Sequence, residues 1–560
     1  MVILGIGGSI HDFSYCLLKD GIIIGAIEEE RVSREKHSKG ARSQALKGMK
    51  YLLKLHGLSN EDVDIFISNS LWHGRPDYPF ASNIVRINHH LAHACSSYYN
   101  SGFDESALLV IDGRGDQYFG GKWSTISLGY ALGKKPNIFE SVSGILQRVS
   151  GDGVVPFAPV TNSLGELYST ITFCCGFGGL NEGKTMGLAP YGSDKYVKEM
   201  DQFVKISLDQ NGKLNVNVNI DELSIWANEI VQKDDTFENK ADLAYAGQAI
   251  LEKSVFHIMN VLYDKTKCKN LSYAGGTALN SVLNGKIKKN TPFENVYIFP
   301  AAGDAGTSFG AAQYAHYILY NKPFRAKKMN TCFFGRKYND LDIETVLKKY
   351  KNRIEVEYIN NTNDMAKKAA ELLNDEKIIG WFQGESEIGP RALGNRSILA
   401  DPRKPYMKEI INSKVKFRES FRPFAPVVLK EQVNDFFTTD FDDNPFMLYV
   451  AEVIDDKKVM LGAVTHVDGS ARLQTVTMEQ NPLFYKVIDE FYKITSVPVL
   501  LNTSFNIKGE PIVEKPEEAI RCLLESELDS IFIHSYYITK LEGLCEGGSC
   551  ETRSKKTAYH

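Results

Sequence analysis

The chain has 560 residues, 43% hydrophobic and 24% charged, with 65 basic against 69 acidic side chains. That length exceeds a single hydrophobic core and predicts about three or four domains, while a net charge of −4 excludes a global attraction to nucleic acid or a membrane surface. Any polyanion site must be a local cluster. No apolar run approaches the ~20 residues of a bilayer span. The N-terminus M-V-I-L-G-I-G-G-S reads as a strand rather than a signal peptide. Nine scattered cysteines without a C-x-x-C pair read as reduced thiols of a cytoplasmic protein.

Residues 2–6 predict a buried strand turned by Gly7-Gly8 into Ser9-Ile10-His11-Asp12-Phe13-Ser14. A second strand follows at 15–19, and the Asp20-Gly21 hairpin leads into a third at 22–27. Strand, glycine turn and strand is the layout with which actin-like folds grip phosphate, although a plain hairpin reads the same way. The run E-E-E-R-V-S-R-E-K-H at 28–37 predicts a solvated face, or a segment that places Lys36 over a site at the sheet edge.

In N-H-H-L-A-H-A at 88–94, His89 and His93 are four residues apart, so a helix sets both imidazoles on one face, one turn apart. That pair can reach one divalent ion; a helix N-terminus binding backbone or phosphate is the alternative. A-L-L-V-I-D-G-R-G-D at 107–116 delivers Asp112 at the end of a buried strand. Two imidazoles and a carboxylate suit iron, zinc or manganese better than magnesium or calcium. Residues 107–133 repeat the opening strand–Asp/Gly–strand pattern and predict a duplicated fold with a cleft between its halves.

Glu182-Gly183-Lys184 lies in a glycine-rich stretch that does not match a P-loop but has the chemistry for ribose or phosphate contacts. Residues 200–240 carry no pattern. A helix is expected over 241–264, then strand, Gly275-Gly276 and small residues, then a strand at 296–300. Asp304 follows, placed either to close the metal site or to cap a helix. Residues 320–340 lack periodicity and mark a boundary. Beyond it, 388–424 holds nine Lys/Arg against three acids, a local anomaly whose arginine forks suit phosphate. Asn502, Ser504 and Asn506 follow an apolar strand, where they can face a ligand. The residues from 541 onward read as a disordered tail.

These motifs together closely resemble the NodU/CmcH family of O-carbamoyltransferases. The resemblance is carried by H-D-F-S (11–14), E-E-E-R-V-S-R-E-K-H, H-H-L-A-H-A, I-D-G-R-G-D, N-E-G-K-T-M-G-L-A-P-Y-G (181–192), A-G-G-T-A-L-N (274–280) and G-D-A-G-T (303–307). It continues through I-G-P-R-A-L-G-N-R-S-I-L-A-D-P-R (388–403), K-F-R-E-S-F-R-P-F-A-P (416–426), H-V-D-G-S-A-R-L-Q-T-V (466–476) and L-N-T-S-F-N (501–506). Asp116 stands where relatives more often carry Glu.

The resemblance implies an α/β protein. A duplicated actin-like (ASKHA, ribonuclease-H-like) domain would occupy 1–345 and an α/β YrdC-like domain 355–540, with a tail at 541–560. It implies that carbamoyl phosphate and ATP, the latter with Mg(II), form carbamoyl adenylate in the second domain. The first domain would then pass the carbamoyl group to a hydroxyl of a natural-product or sugar-like small molecule. His89, His93, Asp112 and Asp304 would hold Fe(II) or a similar ion. His11, Lys36, Asp112, Gly113, Gly275, Gly276 and Gly303 would line the carbamoyl-adenylate pocket, with His11 or Asp12 as base. Arg391, Lys416, Arg422, Arg472, Asn502 and Ser504 would hold carbamoyl phosphate and ATP. The alternatives are a tRNA threonylcarbamoyl-transfer-like enzyme and a nucleic-acid-binding ATPase. The basic stretch argues against nucleic acid, because Phe417, Phe421 and Phe424 cluster beside prolines instead of forming a stacking platform.

Overall fold

The computed structural model describes residues 1–38, 46–72, 83–147 and 158–541, so the expected tail lies outside the described residues. Apolar runs at the start of the chain form a five-stranded sheet. Its strands are β1 (Val2–Gly7), β2 (Ser14–Lys19), β3 (Ile22–Glu28), β4 (Ile65–Asn69) and β5 (Val85–Ile87), in the order β3-β2-β1-β4-β5. The Asp20-Gly21 turn closes the β2–β3 hairpin as its sequence predicts. A second sheet uses β6 (Glu105–Ile111), β7 (Lys122–Leu132), β8 (Lys135–Ile145), β9 (Asn270–Ala274) and β10 (Asn295–Ile298) in the order β8-β7-β6-β9-β10. In both sheets the first three strands form an antiparallel meander, and the fourth and fifth run parallel to the first. This shared topology is the duplication, and it makes the N-terminal part actin-like.

Each fifth strand leads towards a helix. Helix α1 (His89–Ser101) follows β5, and α2 (Thr307–Tyr314) follows β10. Asn88 caps α1 by accepting the Leu91 N–H at 2.8 Å. The helices touch backbone to backbone: a Cβ at Gly310 would lie 1.8 Å from the Ala92 carbonyl oxygen. Only glycine permits that approach, which brings the start of α1 alongside the turn before α2.

Residues 200–240, featureless in sequence, form a hairpin (Val204–Leu208 and Leu214–Val218) and a helix (Ile220–Lys233). The expected helix at 241–264 is longer, Phe237–Thr266. C-terminal to 340 the chain builds a separate ten-stranded mixed sheet between Ile354–Tyr358 and Tyr536–Lys540. At its centre Ile379–Phe382, Arg396–Ala400, Val499–Ser504, Ala425–Leu429 and Ser470–Val476 lie side by side.

The charged run 28–37 is not a solvated face. Glu28, Glu29 and Arg31 are buried, Arg31 at 1% exposure. Arg31 donates to Glu28 at 3.1 Å and to the Gly389 carbonyl at 2.7 Å; Arg34 donates to the carbonyls of Ile512 (2.8 Å) and Pro511 (2.9 Å). The carbonyl partners are more than 350 residues away in sequence, so charge alternation alone could not reveal them. From the other side Phe421 packs among Phe177, Tyr191 and Phe237 at ring separations of 5.7, 6.5 and 6.1 Å. Among the described residues no helix is long and apolar enough to cross a membrane.

Candidate active site

Four side chains converge at the junction of the two helices and the second sheet. His89 and His93 come from the first two turns of α1, Asp112 from the residue after β6, and Asp304 from the turn before α2. His89 Nε2 lies 3.1 Å from His93 Nε2, 3.3 Å from Asp112 Oδ2 and 3.5 Å from Asp304 Oδ1. His93 Nε2 lies 3.7 and 3.5 Å from the same two carboxylate oxygens. All four residues are buried. Asp304 is not a side-chain cap: one carboxylate oxygen faces the imidazoles and the other accepts from the Ser9 hydroxyl.

This donor set fits a divalent transition ion. Metal–ligand bonds of about 2.0–2.2 Å place tetrahedral ligands about 3.3–3.6 Å apart, and neighbouring octahedral ligands about 3 Å apart. The observed separations span 3.1–3.7 Å. Electrostatics supports the same reading. Burial alone would lower the pKa of His89, yet Asp112 and Asp304 raise it to about 10. Burial would raise the pKa of Asp112, yet His89 and His93 hold it well below the usual carboxylate range. The residues are thus arranged to share a positive charge in a dry pocket.

Beside this cluster His11 Nδ1 contacts Asp12 Oδ2 at 3.0 Å and lies 3.9 Å from Asp304 Oδ2. Asp12 Oδ1 contacts His37 Nδ1, also at 3.0 Å. Burial would lower the pKa of His11, but the Asp12 hydrogen bond and Asp304 raise it to about 9. Asp12, opposed by burial but flanked by two imidazoles, is held at about 2. Gly275 has φ +94°, and a Cβ there would sit 2.2 Å from the Ile111 carbonyl oxygen. The turn delivers the Gly276 N–H to Asp112 Oδ1 at 3.0 Å, leaving Oδ2 for the histidines. A Cβ at Gly113 would meet nothing within 4 Å, and one at Gly303 would meet Leu279 at an ordinary 3.6 Å. Nothing in the sequence singles out His37 or Asp116 as a site residue. Asp116, the position of the family departure, accepts the His89 N–H at 2.8 Å and the Ser70 hydroxyl, so it anchors α1 and does not enter the cluster.

The basic stretch sorts into two groups. Arg396 is buried against the Phe382 ring, its guanidinium donating to carbonyls of Gln383 and Gly384. Arg403 pairs with Asp401 at 2.7 Å. Arg391 and Arg472 have no hydrogen-bond or ion-pair partner among the described residues, and the Nε of each is buried. Arg391 is pulled down to about 10 by burial and by Arg422. Arg472 is held well below the arginine range by burial and by Arg391, Arg418 and Arg422. Arg418, unremarkable in the sequence, is lowered to about 9 by burial and by Arg422. Arg418 donates to Asn412 Oδ1 at 2.8 Å and Arg422 lies 3.8 Å from Glu419, whereas Arg391 and Arg472 are left without a side-chain partner among the described residues, which is the condition of an anion-binding basin. Burial holds the Lys36 ammonium below its ordinary pKa, opposed by Glu30 and Asp12 and reinforced by Arg422 and Lys184.

Three expected contacts differ. The ammonium of Lys416 is already surrounded by Ser504 O (2.7 Å) and Oγ (3.2 Å) and by Asn506 O (3.0 Å) and Oδ1 (2.7 Å). It locks the loop after Val499–Ser504, and Ser504 serves that lock. Asn502 is buried and donates to the carbonyls of Ala392 (3.1 Å) and the Gln474 side chain (2.8 Å). It supports the residue next to Arg391, and its Oδ1 is buried without a partner among the described residues. Phe421 and Phe424 are buried, the latter beneath Arg418, and neither is available to stack a base.

The sheet topology first defines an actin-like α/β enzyme fold joined to a second α/β part. Family comparison then gives the particular class. Residues 2–77 and 73–313 match the model of the carbamoyltransferase N-terminus, and 370–540 that of the carbamoyltransferase C-terminus. The nodulation protein NolNO of Sinorhizobium fredii is 37% identical over 568 residues, covering 95% of this chain and 79% of that protein. The 3'-hydroxymethylcephem-O-carbamoyltransferase of Streptomyces clavuligerus is 31% identical over 283 residues, 49% of each chain. Nodulation protein U of Sinorhizobium fredii is 30% identical over 289 residues, 50% of this chain and 48% of that one. The chain belongs to the NodU/CmcH-like carbamoyltransferase family and is an O-carbamoyltransferase.

Proposed function

We propose that the C-terminal basin forms carbamoyl adenylate in two steps: water cleaves carbamoyl phosphate to carbamate and phosphate, and the carbamate oxygen then attacks the α-phosphorus of ATP, breaking its bond to the β-phosphate oxygen and releasing pyrophosphate. The histidine–carboxylate site then transfers the carbamoyl group to a hydroxyl of a small, natural-product or sugar-like acceptor, releasing AMP. The observation that carries this reading is the pairing, within one chain, of Arg391 and Arg472, whose side chains have no partner among the described residues, with a separate His–Asp cluster.

Carbamoyl phosphate and ATP repel each other at neutral pH, so bringing them together needs a dense, pre-organised positive field. Arg391, Arg422 and Arg472 supply it. Asn502 holds the Ala392 carbonyl and so fixes the Arg391 loop; Lys416 fixes the loop carrying Ser504. At the second site His89, His93, Asp112 and Asp304 would hold a divalent transition ion, which when bound supplies Lewis acidity towards a phosphate or carbonyl oxygen. The open face at Gly113 and the exposed Gly276 allow close approach of an adenylate to backbone. His11 Nδ1 faces Asp12 Oδ2; with its pKa raised to about 9 the imidazole serves as base only in its neutral form, in which an Nδ1 proton held on Asp12 leaves Nε2 to take the acceptor hydroxyl's proton as that oxygen attacks the carbamoyl carbon.

The test is pyrophosphate release by the purified full chain. Release that requires both ATP and carbamoyl phosphate, together with a carbamoylated hydroxyl compound identified by mass from a panel of sugars and natural products, is expected. Pyrophosphate release from ATP alone, unaffected by carbamoyl phosphate, would overturn the assignment.

A further inference from the structure

Glu419 lies inside the K-F-R-E-S-F-R segment and is the one carboxylate ion-paired with a basin arginine among the described residues. It follows Phe417, whose φ of +46° turns the chain, and it precedes Phe421, which is fixed in the aromatic cluster of the N-terminal part. Its carboxylate accepts from Lys184 Nζ at 2.8 Å and lies 3.8 Å from Arg422 Nη1. Lys184 belongs to the helix Glu182–Leu188 of the N-terminal part, and its ammonium stands 5.6 Å from the Phe177 ring that also meets Phe421. The triad therefore closes one side of the basin across the boundary between the two parts.

A carboxylate among phosphate-binding cations has two effects. It repels an incoming anion, and it competes with that anion for Lys184 and Arg422. The competition costs the same for every ligand, whereas attraction to the unpartnered arginines grows with the ligand's charge. Glu419 is about a third exposed, so its carboxylate can swing into solvent without unpacking the Phe421 anchor.

We propose that Glu419 is a displaceable internal counter-anion that sets a charge threshold for entry to the basin. In the free protein it holds Lys184 and Arg422. A phosphate carrying two or more charges displaces it and takes over both cations, and a monoanion does not. Because Lys184 comes from the other part of the chain, the same displacement breaks one contact between the parts whenever the basin fills. This rests on the reading of the basin as a phosphate site.

The test is calorimetric titration of the full chain with inorganic pyrophosphate and, separately, acetate as the monoanion probe, at constant ionic strength. E419Q should bind pyrophosphate about fivefold to tenfold more tightly than wild type, the value of one nearby, partly solvated charge. It should also bind acetate, which wild type should not. E419D, which keeps the charge, should stay near wild type, a rescue that a packing role for the side-chain amide would not give. In a second arm, K184Q should weaken pyrophosphate binding more in the wild-type background than in E419Q, where no carboxylate competes for Arg422. Binding by wild type with equal or weaker binding by E419Q overturns the threshold while leaving the phosphate site standing. Absence of binding by both wild type and E419Q overturns the phosphate reading and the threshold with it.

Discussion

Replacing Arg391 by methionine should stabilise the ligand-free protein while disabling the enzyme. The guanidinium is held at about 10 against an ordinary 12.5 by burial and by Arg422. At about 1.4 kcal/mol per pH unit the full difference corresponds to about 3.4 kcal/mol. Arg391 is half-buried, so solvent screening reduces this to about 2 kcal/mol. The sign follows from linkage: a base whose folded pKa is depressed destabilises the fold wherever both states are protonated, here at every pH below about 10. Methionine keeps the apolar stem and removes the charge. For a cooperative unit of about 200 residues each kcal/mol moves Tm by about 2–4 °C, so the C-terminal transition should rise by about 4–8 °C. The lost charge-assisted contact is worth about 1.5–3 kcal/mol, a fall of roughly 10- to 150-fold in kcat/KM for carbamoyl phosphate. Differential scanning calorimetry with and without pyrophosphate reads both effects, because wild type should gain stability from the anion and R391M should gain much less. A fall in the ligand-free Tm of R391M would refute the reasoning, since Arg391 would then be a structural cation.

Gly310→Val should cost about 3 kcal/mol or more, because its Cβ would meet the Ala92 carbonyl oxygen. By parting the two helices it should also lower the metal content measured on purified protein; an unchanged Tm would contradict the helix contact. His466 is buried, with Nδ1 accepting the Val467 N–H at 2.8 Å and Nε2 facing the Gly187 carbonyl at 3.1 Å, and burial holds its pKa below 6.5. Its contribution is therefore present above pH 6.5 and lost below it, by up to about 1.4 kcal/mol per pH unit; the Tm of H466Q should fall less steeply from pH 7 to 5, and identical slopes would refute this. We propose a domain division between 345 and 355, with trypsin cutting first in the exposed stretch 322–328, which has no helix or strand of its own. First cleavage within 200–240 would move the boundary.

The parts of this protein written into local pattern are legible in the amino-acid sequence alone. Asp20-Gly21 announces a hairpin, and the four-residue spacing of His89 and His93 becomes one helix face because the intervening residues carry no helix breaker. Asp112 and Asp304 stand at strand-end positions where α/β sheets present functional groups. What stays hidden depends on partners distant in sequence. A charge count cannot separate Arg396, satisfied by carbonyls of Gln383 and Gly384, from Arg391, which has no partner among the described residues. The same limit hides the burial of Glu28–Arg31, the Lys184–Glu419 pair and the saturation of Lys416 by Ser504 and Asn506. Asp116 is visible as a departure, but its bond to the His89 N–H follows only from the packing of α1 on the loop after β6.

The central claim is that activation and transfer occupy different sites, and the most direct measurement compares His89→Ala with Arg422→Ala for metal content, pyrophosphate release and carbamoylated product. His89→Ala should lose its metal and make no product, yet still release pyrophosphate and accumulate AMP. Arg422→Ala should retain its metal and release no pyrophosphate. If His89→Ala blocks pyrophosphate release as completely as Arg422→Ala does, the histidine site belongs to activation and the two-site account is wrong.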